Sequence, residues 1–148
     1  MNSHKNGLLV ILVSSVLLVT FLVPISASSN DDQIMPYYTN TDRCFADFEI
    51  INDVATVVVY YYGDASEFTK AEISVKIQKR FLLVIWNDVD IGYADNEWTA
   101  TSYDLNGSFY KEFPISKTGY YRALITVKVY GTSGEVDTIE FTKEYQYN

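Results

Sequence analysis

Histidine and cysteine are almost absent, with one of each among 148 residues. His4 is the sole imidazole and lies in the N-terminal segment, so the body of the chain cannot build a Ser-His or Cys-His pair, or a His/Cys zinc site. We therefore expect no catalytic residues and no enzyme. A carboxylate pair of glycosidase type stays as the alternative, because 19 acidic residues are present.

The single cysteine also limits how the fold is stabilised. Cys44 has no partner in the chain, which excludes an intramolecular disulfide, so stability must rest on apolar burial. Cys44 lies in an alternating stretch, and a free cysteine in such a position is typical of a small buried residue. The alternative role is an intermolecular bridge.

Basic residues are few, since 11 Lys and Arg stand against 19 Asp and Glu for a formal net charge of −8. An acidic chain is a poor partner for a polyanion, so nucleic acid is excluded as the expected ligand. The same charge favours solubility.

The N-terminus carries a long apolar run from Gly7 to Val23, preceded by Lys5 and followed by Pro24 and Ala27. This pattern predicts a helical signal peptide over residues 1–27 with cleavage after Ala27, and a secreted, extracellular protein. The alternative is an uncleaved segment that anchors the chain to the outer side of the cell membrane, because the run approaches the roughly 20 residues of a membrane span. Only that alternative predicts membrane contact.

Two further segments follow the signal. Residues 28–42 are polar, contain Pro36 and show no sustained period, so we expect a flexible tether. Residues 43–148 have the length of one domain and consist of short alternating runs broken by Gly, Asn and Asp. The sequence therefore predicts a single all-β domain.

Alternation at a period of two residues identifies the strands. In residues 68–78, Ala71, Ile73, Val75 and Ile77 should face the core, and in residues 54–62 alternate residues from position 55 to 61 should do the same. The predicted strands are 44–51, 54–62, 68–78, 81–86, 98–105, 108–113, 118–130 and 136–147. The apolar run 81–86 is expected to touch the core on one side.

Two turn signals predict hairpins. Asn106-Gly107 is typical of a type I′ turn, which would pair the strands before and after it. Pro114 then suggests an edge strand or a bulge. Residues 131–134 separate the last two predicted strands, and Ile139, Phe141 and Tyr145 of the final strand should point inward.

The stretch Gly119-x-Tyr121-x-Ala123 indicates which all-β fold the domain adopts. Strand F of immunoglobulin domains often begins Asp-x-Gly-x-Tyr-x-Cys, with the tyrosine hydroxyl bonded to nearby backbone. Here Gly119 and Tyr121 match, Ala123 replaces the cysteine, and Val57 or Val59 occupies the partner position on strand B. We predict a single immunoglobulin-like antiparallel β-sandwich of seven to eight strands without a disulfide.

The order of three strand motifs gives a further resemblance. Residues 54–57, 70–79 and 119–130 read VATV, KAEISVKIQK and GYYRALITVKVY. This chain resembles a family of short, uncharacterised secreted Firmicutes proteins with a single immunoglobulin-like sandwich, over residues 44–147. The resemblance implies export and the sandwich fold. It implies no activity, because that family has none established.

One acidic stretch offers oxygen ligands to a metal. Asp88, Asp90 and Asp95 lie around Gly92, with the alternate oxygens and glycine turn that calcium sites use. The stretch departs from an EF-hand, since Gly92 takes the third ligand position and no helices flank it. We interpret it as a solvated loop and expect no cofactor, with calcium as the weaker alternative.

The outward residues of two strands are unusually aromatic. Val58, Tyr60 and Tyr62 should share the outer face of one strand. Tyr120, Arg122, Leu124 and Tyr130 form a more diluted stripe on another. Tyrosine suits protein interfaces and stacking on sugar rings. The alternative is ordinary sheet surface, because tyrosine is also a good strand former.

Two functions remain after these exclusions. We expect a non-catalytic binding module for a protein or glycan, acting through the tyrosine-rich face or the loops. The alternative is a small secreted antimicrobial or inhibitory effector, suggested by size and export. An acidic chain disfavours an effector that acts on anionic membranes.

Overall fold

The computed structural model describes residues 38–148. The predicted signal peptide, its cleavage site after Ala27 and residues 28–37 of the predicted tether lie outside the described residues. Within residues 38–148, no helix has both the length and the apolar character needed to cross a membrane.

Eight strands joined by turns and loops form the described domain, with one short 3-10 turn at Ala94–Asn96. The strands are β1 Thr41–Ile51, β2 Val54–Gly63, β3 Phe68–Phe81, β4 Ile85–Asp88, β5 Trp98–Ser102, β6 Asn106–Pro114, β7 Gly119–Gly131 and β8 Val136–Tyr147. Each long strand follows the two-residue apolar alternation of its sequence, which buries one face. The predicted all-β class is confirmed.

The strands form two antiparallel sheets. One has the order β1-β2-β6, and the other has the order β4-β3-β7-β8, with β5 also paired to β3. Aromatic rings pack across the interface between the sheets, with Tyr61 stacked on Phe68 at 6.0 Å and Trp98 edge-on to Phe113 at 6.2 Å between ring centroids. This arrangement is that of an immunoglobulin-like sandwich, in which β1, β2 and β6 correspond to strands A, B and E, and β3, β7 and β8 correspond to strands C, F and G.

The core holds the residues that alternation predicts. The inward residues of β2, β3 and β7 are all at most 2% exposed, and Ile139 of β8 is 3% exposed. Phe141 and Tyr145 pack against this core while half-buried. Cys44 is a buried free thiol at 4% exposure, as expected for a small core residue.

The corner tyrosine is confirmed at the entrance of β7. The Tyr121 hydroxyl donates a hydrogen bond to the carbonyl oxygen of Lys117, four residues earlier. Gly119 has a φ of +149°, a backbone conformation that side-chain-bearing residues rarely adopt. This part of the chain therefore uses Gly119 and Tyr121 as the sequence predicted.

The first strand begins at Thr41, two residues before the predicted domain boundary at 43. The buried Asp137 carboxylate accepts hydrogen bonds from the Asn40 amide at 2.7 Å and the Thr41 hydroxyl at 2.9 Å. Asn40 is fully buried, and its side chain donates to the Glu135 carbonyl at 3.0 Å. These bonds fix the end of the predicted tether onto β8.

The predicted hairpin at Asn106-Gly107 is wrong. These residues begin β6, which pairs with β2, whereas β5 pairs with β3 in the other sheet. Gly107 is needed for space, because a Cβ there would lie 2.6 Å from the Tyr61 hydroxyl. The predicted edge position of Pro114 is confirmed, since β6 is the outer strand of its sheet.

The predicted strand 81–86 is also wrong. The chain reverses within it, because β3 ends at Phe81, Leu82 takes a φ of +58° and β4 begins at Ile85. None of the residues from Phe81 to Ile85 is buried, so this run does not touch the core as expected. An apolar run without a period carries no information about where the chain turns.

Candidate binding surface

The outer face of β2 carries the aromatic row predicted from the sequence. Tyr60 is 50% exposed and Tyr62 is 42% exposed, and Val58 beside them is half-buried. Their neighbours in the chain, Val59 and Tyr61, are fully buried, so alternation alone divides the strand into a core side and a solvent side. Because β2 is the middle strand, its outer residues lie at the centre of the three-stranded sheet.

The flanking strands enlarge this row into a patch. Phe45 of β1 lies directly opposite Tyr60, and Tyr110 of β6 lies directly opposite Val58. Phe45 is 55% exposed and Tyr110 is 59% exposed. Directly opposed residues on one face have Cβ atoms about 5 Å apart. We call Phe45, Val58, Tyr60, Tyr62 and Tyr110 the aromatic face.

The sequence did not single out Phe45 and Tyr110. Each is an isolated aromatic residue at an outward position of its own strand, and an isolated exposed aromatic residue needs no explanation. Their importance comes from the register of β1 and β6 on β2, which brings both beside the β2 row. Alternation gives the outward side of a strand but not its neighbours.

Charged residues border the aromatic face. Arg43 lies opposite Tyr62, and Asp47 lies opposite Val58. Toward the other end of the strands, Glu49 and Glu112 lie on either side of Thr56. The surface therefore has an apolar centre and a charged, mainly acidic border.

Tyr110 connects the aromatic face to that border. Its hydroxyl donates a hydrogen bond to a carboxylate oxygen of Glu112. This hydrogen bond, together with partial desolvation and the Glu112 charge, raises the pKa of Tyr110 above its ordinary value. The hydroxyl therefore stays protonated across the physiological range, and the ring is held in place at the edge of the face.

The second predicted stripe, on the outer side of β7, is covered by neighbouring side chains at one end. The Arg80 guanidinium carbon lies 3.8 Å from the centroid of the Tyr120 ring. Arg122 donates a hydrogen bond to Gln78 at 2.7 Å, and its guanidinium carbon lies 4.3 Å from the centroid of the Trp86 ring. Both β7 residues are half-buried by these contacts.

The other end of that stripe is an ion-pair cluster. The Tyr130 hydroxyl donates to Glu72 at 2.7 Å, and the Lys70 ammonium lies 4.2 Å from the centroid of the Tyr130 ring. Leu124, between the two ends, is also half-buried. The four residues do not form one open surface, so the aromatic face of the other sheet is the stronger candidate.

A shallow groove of about 400 Å³ lies on the outer face of the five-stranded sheet, with Glu72, Glu97 and Lys128 in its lining. Both of its carboxylates are ion-paired: Glu72 with Lys70 at 2.5 Å and Glu97 with Lys76 at 3.5 Å. The hydrogen bond from Lys70, followed by that from Tyr130, lowers the pKa of Glu72. A general acid needs a raised pKa, so Glu72 is poorly suited to that role.

The acidic residues considered for calcium serve as turn and strand contacts. Asp90 accepts a hydrogen bond from the Gly92 amide at 2.9 Å, and Asp88 accepts one from the Gln78 side chain at 2.8 Å. Asp95 lies in the 3-10 turn with a φ of +55°. Among residues 38–148, no three acidic, histidine or cysteine side chains form a group that could hold a metal ion.

Comparisons with known proteins leave this chain without an assigned family. No protein-family model and no curated protein matches it. Two solved structures with similarity are of OgpA from Akkermansia muciniphila. The wild-type protein is 14% identical with a TM-score of 0.40 over 76% of this chain and 32% of that chain.

The second is catalytically inactive OgpA in complex with an O-glycopeptide substrate, glycodrosocin. It is 12% identical, with a TM-score of 0.37 over 74% of this chain and 32% of that chain. This chain therefore corresponds to about a third of the length of OgpA. Similarity at this level assigns neither a family nor an activity to it.

Proposed function

We propose that this protein is an exported, non-catalytic binding module whose partner is a protein that packs on the aromatic face. The observation that carries the proposal is the convergence of four exposed aromatic rings from three strands onto one side of one sheet. Export is supported by the sequence of residues 1–27.

The composition of the aromatic face favours a protein partner. Exposed aromatic residues at the centre of a surface, bordered by charged residues, are typical of protein interfaces, in which a few central side chains supply most of the binding energy. Phe45 and Val58 offer no hydrogen-bonding group, which suits an apolar protein surface better than the hydroxyl-rich faces of a sugar. The acidic border of Asp47, Glu49 and Glu112 favours a partner with basic residues around its contact.

The experiment is affinity capture from cell-surface and extracellular-matrix extracts, with a parallel glycan array. The test variant is Phe45→Ser/Tyr60→Ser/Tyr110→Ser, which removes three rings that are each at least half exposed. The control is Tyr103→Ser, a tyrosine that is 76% exposed outside the aromatic face. We expect a protein that the wild type and the control retain and the test variant loses by at least about 100-fold in affinity.

Two results would overturn this proposal. Equal retention of the partner by the test variant would show that the aromatic face does not bind it. Glycan binding with the same dependence on the aromatic face, in the absence of a protein partner, would replace the protein ligand by a carbohydrate. Circular dichroism of each variant confirms that the sandwich remains folded.

A further inference from the structure

The hairpin between β3 and β4 exposes five consecutive apolar residues. Phe81, Leu82, Leu83, Val84 and Ile85 are 58%, 68%, 86%, 82% and 46% exposed. An apolar cluster of this kind on a soluble domain marks an interaction site. We call residues 81–85 the apolar tip. The aromatic face lies on the other sheet, so the two surfaces are separate features.

The apolar tip stands beyond the part of β3 that is paired with β7. The pairing of β3 with β7 ends at Lys79 opposite Tyr121, whereas β3 continues to Phe81 and pairs there with Ile85 of β4. The turn between them exposes Leu83 and Val84 almost completely. A side chain exposed to this extent is not buried by its neighbours, so a medium that surrounds the tip would bury more of its apolar surface than a flat protein surface would.

A stack of arginine and aromatic side chains lies directly behind the tip. Arg80 packs on Tyr120 and Arg122 packs on Trp86, and the Arg80 guanidinium also lies 5.9 Å from the centroid of the Trp86 ring. Such contacts hold each cation over the face of a ring. Trp86 is half-buried at the base of the tip. We call Arg80, Trp86, Tyr120 and Arg122 the collar.

The collar is a local cationic site on an acidic protein. Within residues 38–148, the ion pairs are Lys70–Glu72 and Lys76–Glu97, so neither collar arginine is paired with a carboxylate. The closest acids by register are Glu144, opposite Arg122, and Asp88, which is hydrogen-bonded to Gln78. Lys79 adds a further positive charge at this end of β3 and donates to the Thr118 carbonyl at 2.8 Å.

We propose that the apolar tip inserts into the surface of an anionic lipid bilayer. A bilayer surrounds an inserted tip on all sides, so it can bury Leu83 and Val84 completely. Trp and Tyr are enriched at the level of lipid headgroups, and arginines near that level attract anionic lipids. Tip and collar therefore match the depth profile of a membrane interface. The sequence had predicted membrane contact only through an uncleaved N-terminal segment.

The test places a fluorophore that responds to polarity on the tip of the full-length chain. Leu83→Cys is labelled and mixed with vesicles of phosphatidylcholine, with or without phosphatidylglycerol. Burial raises the pKa of the only native thiol, Cys44, to about 12, so that thiol stays unreactive at neutral pH. The matched control is Tyr103→Cys, which is also highly exposed but follows β5, at the Ala71 end of β3.

The expected result is a blue-shifted emission at position 83 with anionic vesicles, little change with neutral vesicles, and no change at position 103. Because the readout is specific to a position, binding of the vesicle by residues 1–27 does not reproduce it. In a second arm, Val84→Ser in the labelled Leu83→Cys chain should weaken the response about 10-fold, and added salt should weaken it further.

Three outcomes would overturn the proposal. One is the absence of any emission shift at position 83 with anionic vesicles. Another is an equal shift at positions 83 and 103, which indicates non-specific adsorption. The third is loss of self-association or of a protein contact in Leu83→Ser/Val84→Ser without vesicle binding by the wild type, which would assign the tip to a protein interface. None of these outcomes bears on the aromatic face, so the two proposals fail independently.

Discussion

Tyr121 shows how one hydrogen bond defines the entrance to a strand. Its ring is buried at 2% exposure, and its hydroxyl donates to the Lys117 carbonyl. Burial raises the pKa of Tyr121, so the hydroxyl remains a donor at neutral pH. The residue combines core packing with a local backbone contact, as the Gly119-x-Tyr121 pattern predicted.

We expect Tyr121→Phe to lower the free energy of unfolding by about 1 kcal/mol, because the ring stays in place and only the hydrogen bond is lost. The measurement is urea unfolding followed by fluorescence. The control is Tyr120→Phe, which keeps its ring against Arg80 and should change stability by less than about 0.5 kcal/mol. Equal effects of the two substitutions would contradict this account of the corner.

The buried thiol of Cys44 should lower the free energy of unfolding as the pH becomes alkaline. The unfolded thiol ionises near its ordinary pKa of 9.0, whereas burial raises the pKa of the folded thiol to about 12. Because the folded state holds the proton more tightly, its stability is fully retained below pH 9 and is lost as the pH rises toward about 12. The loss attributable to Cys44 should be about 1.4 kcal/mol at pH 10.

The measurement is the difference in unfolding free energy between the wild type and Cys44→Ala at two pH values, below 9 and near 10. The variant leaves a small cavity and is less stable throughout, but it lacks the thiol-dependent slope. Burial also raises the pKa of Tyr61 and Tyr121, so tyrosine ionisation adds a loss of the same sign from about pH 10 upward, but this loss is common to both proteins and cancels in the difference. Identical slopes for both proteins over this interval would show that the thiol is not buried in solution.

At the scale of elements, strand assignment follows from alternation, and strand pairing does not. The inward residues of β2, β3 and β7 could be named from the sequence because burial on one side imposes a period of two. The connection between β5 and β6 could not, since the Asn106-Gly107 pair is typical of a tight hairpin but here begins β6, after the chain has crossed from one sheet to the other. Space for Tyr61, rather than a turn, explains the glycine.

Asn106→Thr distinguishes the strand from the predicted turn. Thr is favoured in strands, whereas the first central position of a type I′ turn requires a positive φ, which β-branched residues resist. Because Asn106 lies in β6 opposite Tyr62, we expect the unfolding free energy to change by less than about 0.5 kcal/mol.

Chemical denaturation provides the measurement for Asn106→Thr. Gly107→Ala is the companion variant, since its methyl group would meet the Tyr61 hydroxyl. We expect this second change to cost at least about 1 kcal/mol, because the Tyr61 ring must move from its bonds to Ser102 and Asp104. A loss above about 1 kcal/mol for Asn106→Thr would favour the turn instead.

The structure of the apolar run from 81 to 86 also could not be predicted from the sequence, for a different reason. A run without alternation fits a buried strand, a buried helix or an exposed turn equally well. In the structure the chain turns at Leu82, which has a positive φ, so the run forms a hairpin. Because its residues are exposed, the hairpin is a candidate contact surface. Composition had indicated burial, and backbone geometry placed these side chains in solvent.

At the scale of the whole molecule, the sandwich brings together surfaces that are separate in the sequence. Phe45, Tyr60 and Tyr110 come from the first, second and sixth strands, and only the order β1-β2-β6 makes them neighbours. Val58, Tyr60 and Tyr62 could be predicted from the sequence because they are alternate residues of one strand. The remainder depends on tertiary pairing, which no local pattern encodes.

The two sheets of the sandwich are joined without a disulfide. The two sheets are held together by side chains that meet across the core, such as Tyr61 with Phe68 and Trp98 with Phe113. The aromatic face is therefore presented by a sheet whose inner residues are fully packed and whose outer residues do not serve the core. Three of its rings can be removed with little expected effect on folding, which makes a test of binding interpretable.

Site-specific photo-crosslinking can show directly whether a protein packs on the aromatic face. A photoreactive phenylalanine analogue replaces Tyr60 at the centre of the aromatic face or Tyr103 outside it, and the full-length protein is irradiated in extracellular-matrix and cell-surface extracts. We expect a discrete protein adduct from position 60 that is absent from position 103 and is suppressed by Phe45→Ser/Tyr110→Ser in the same chain. Adducts of equal yield from both positions, or none from position 60, would contradict it.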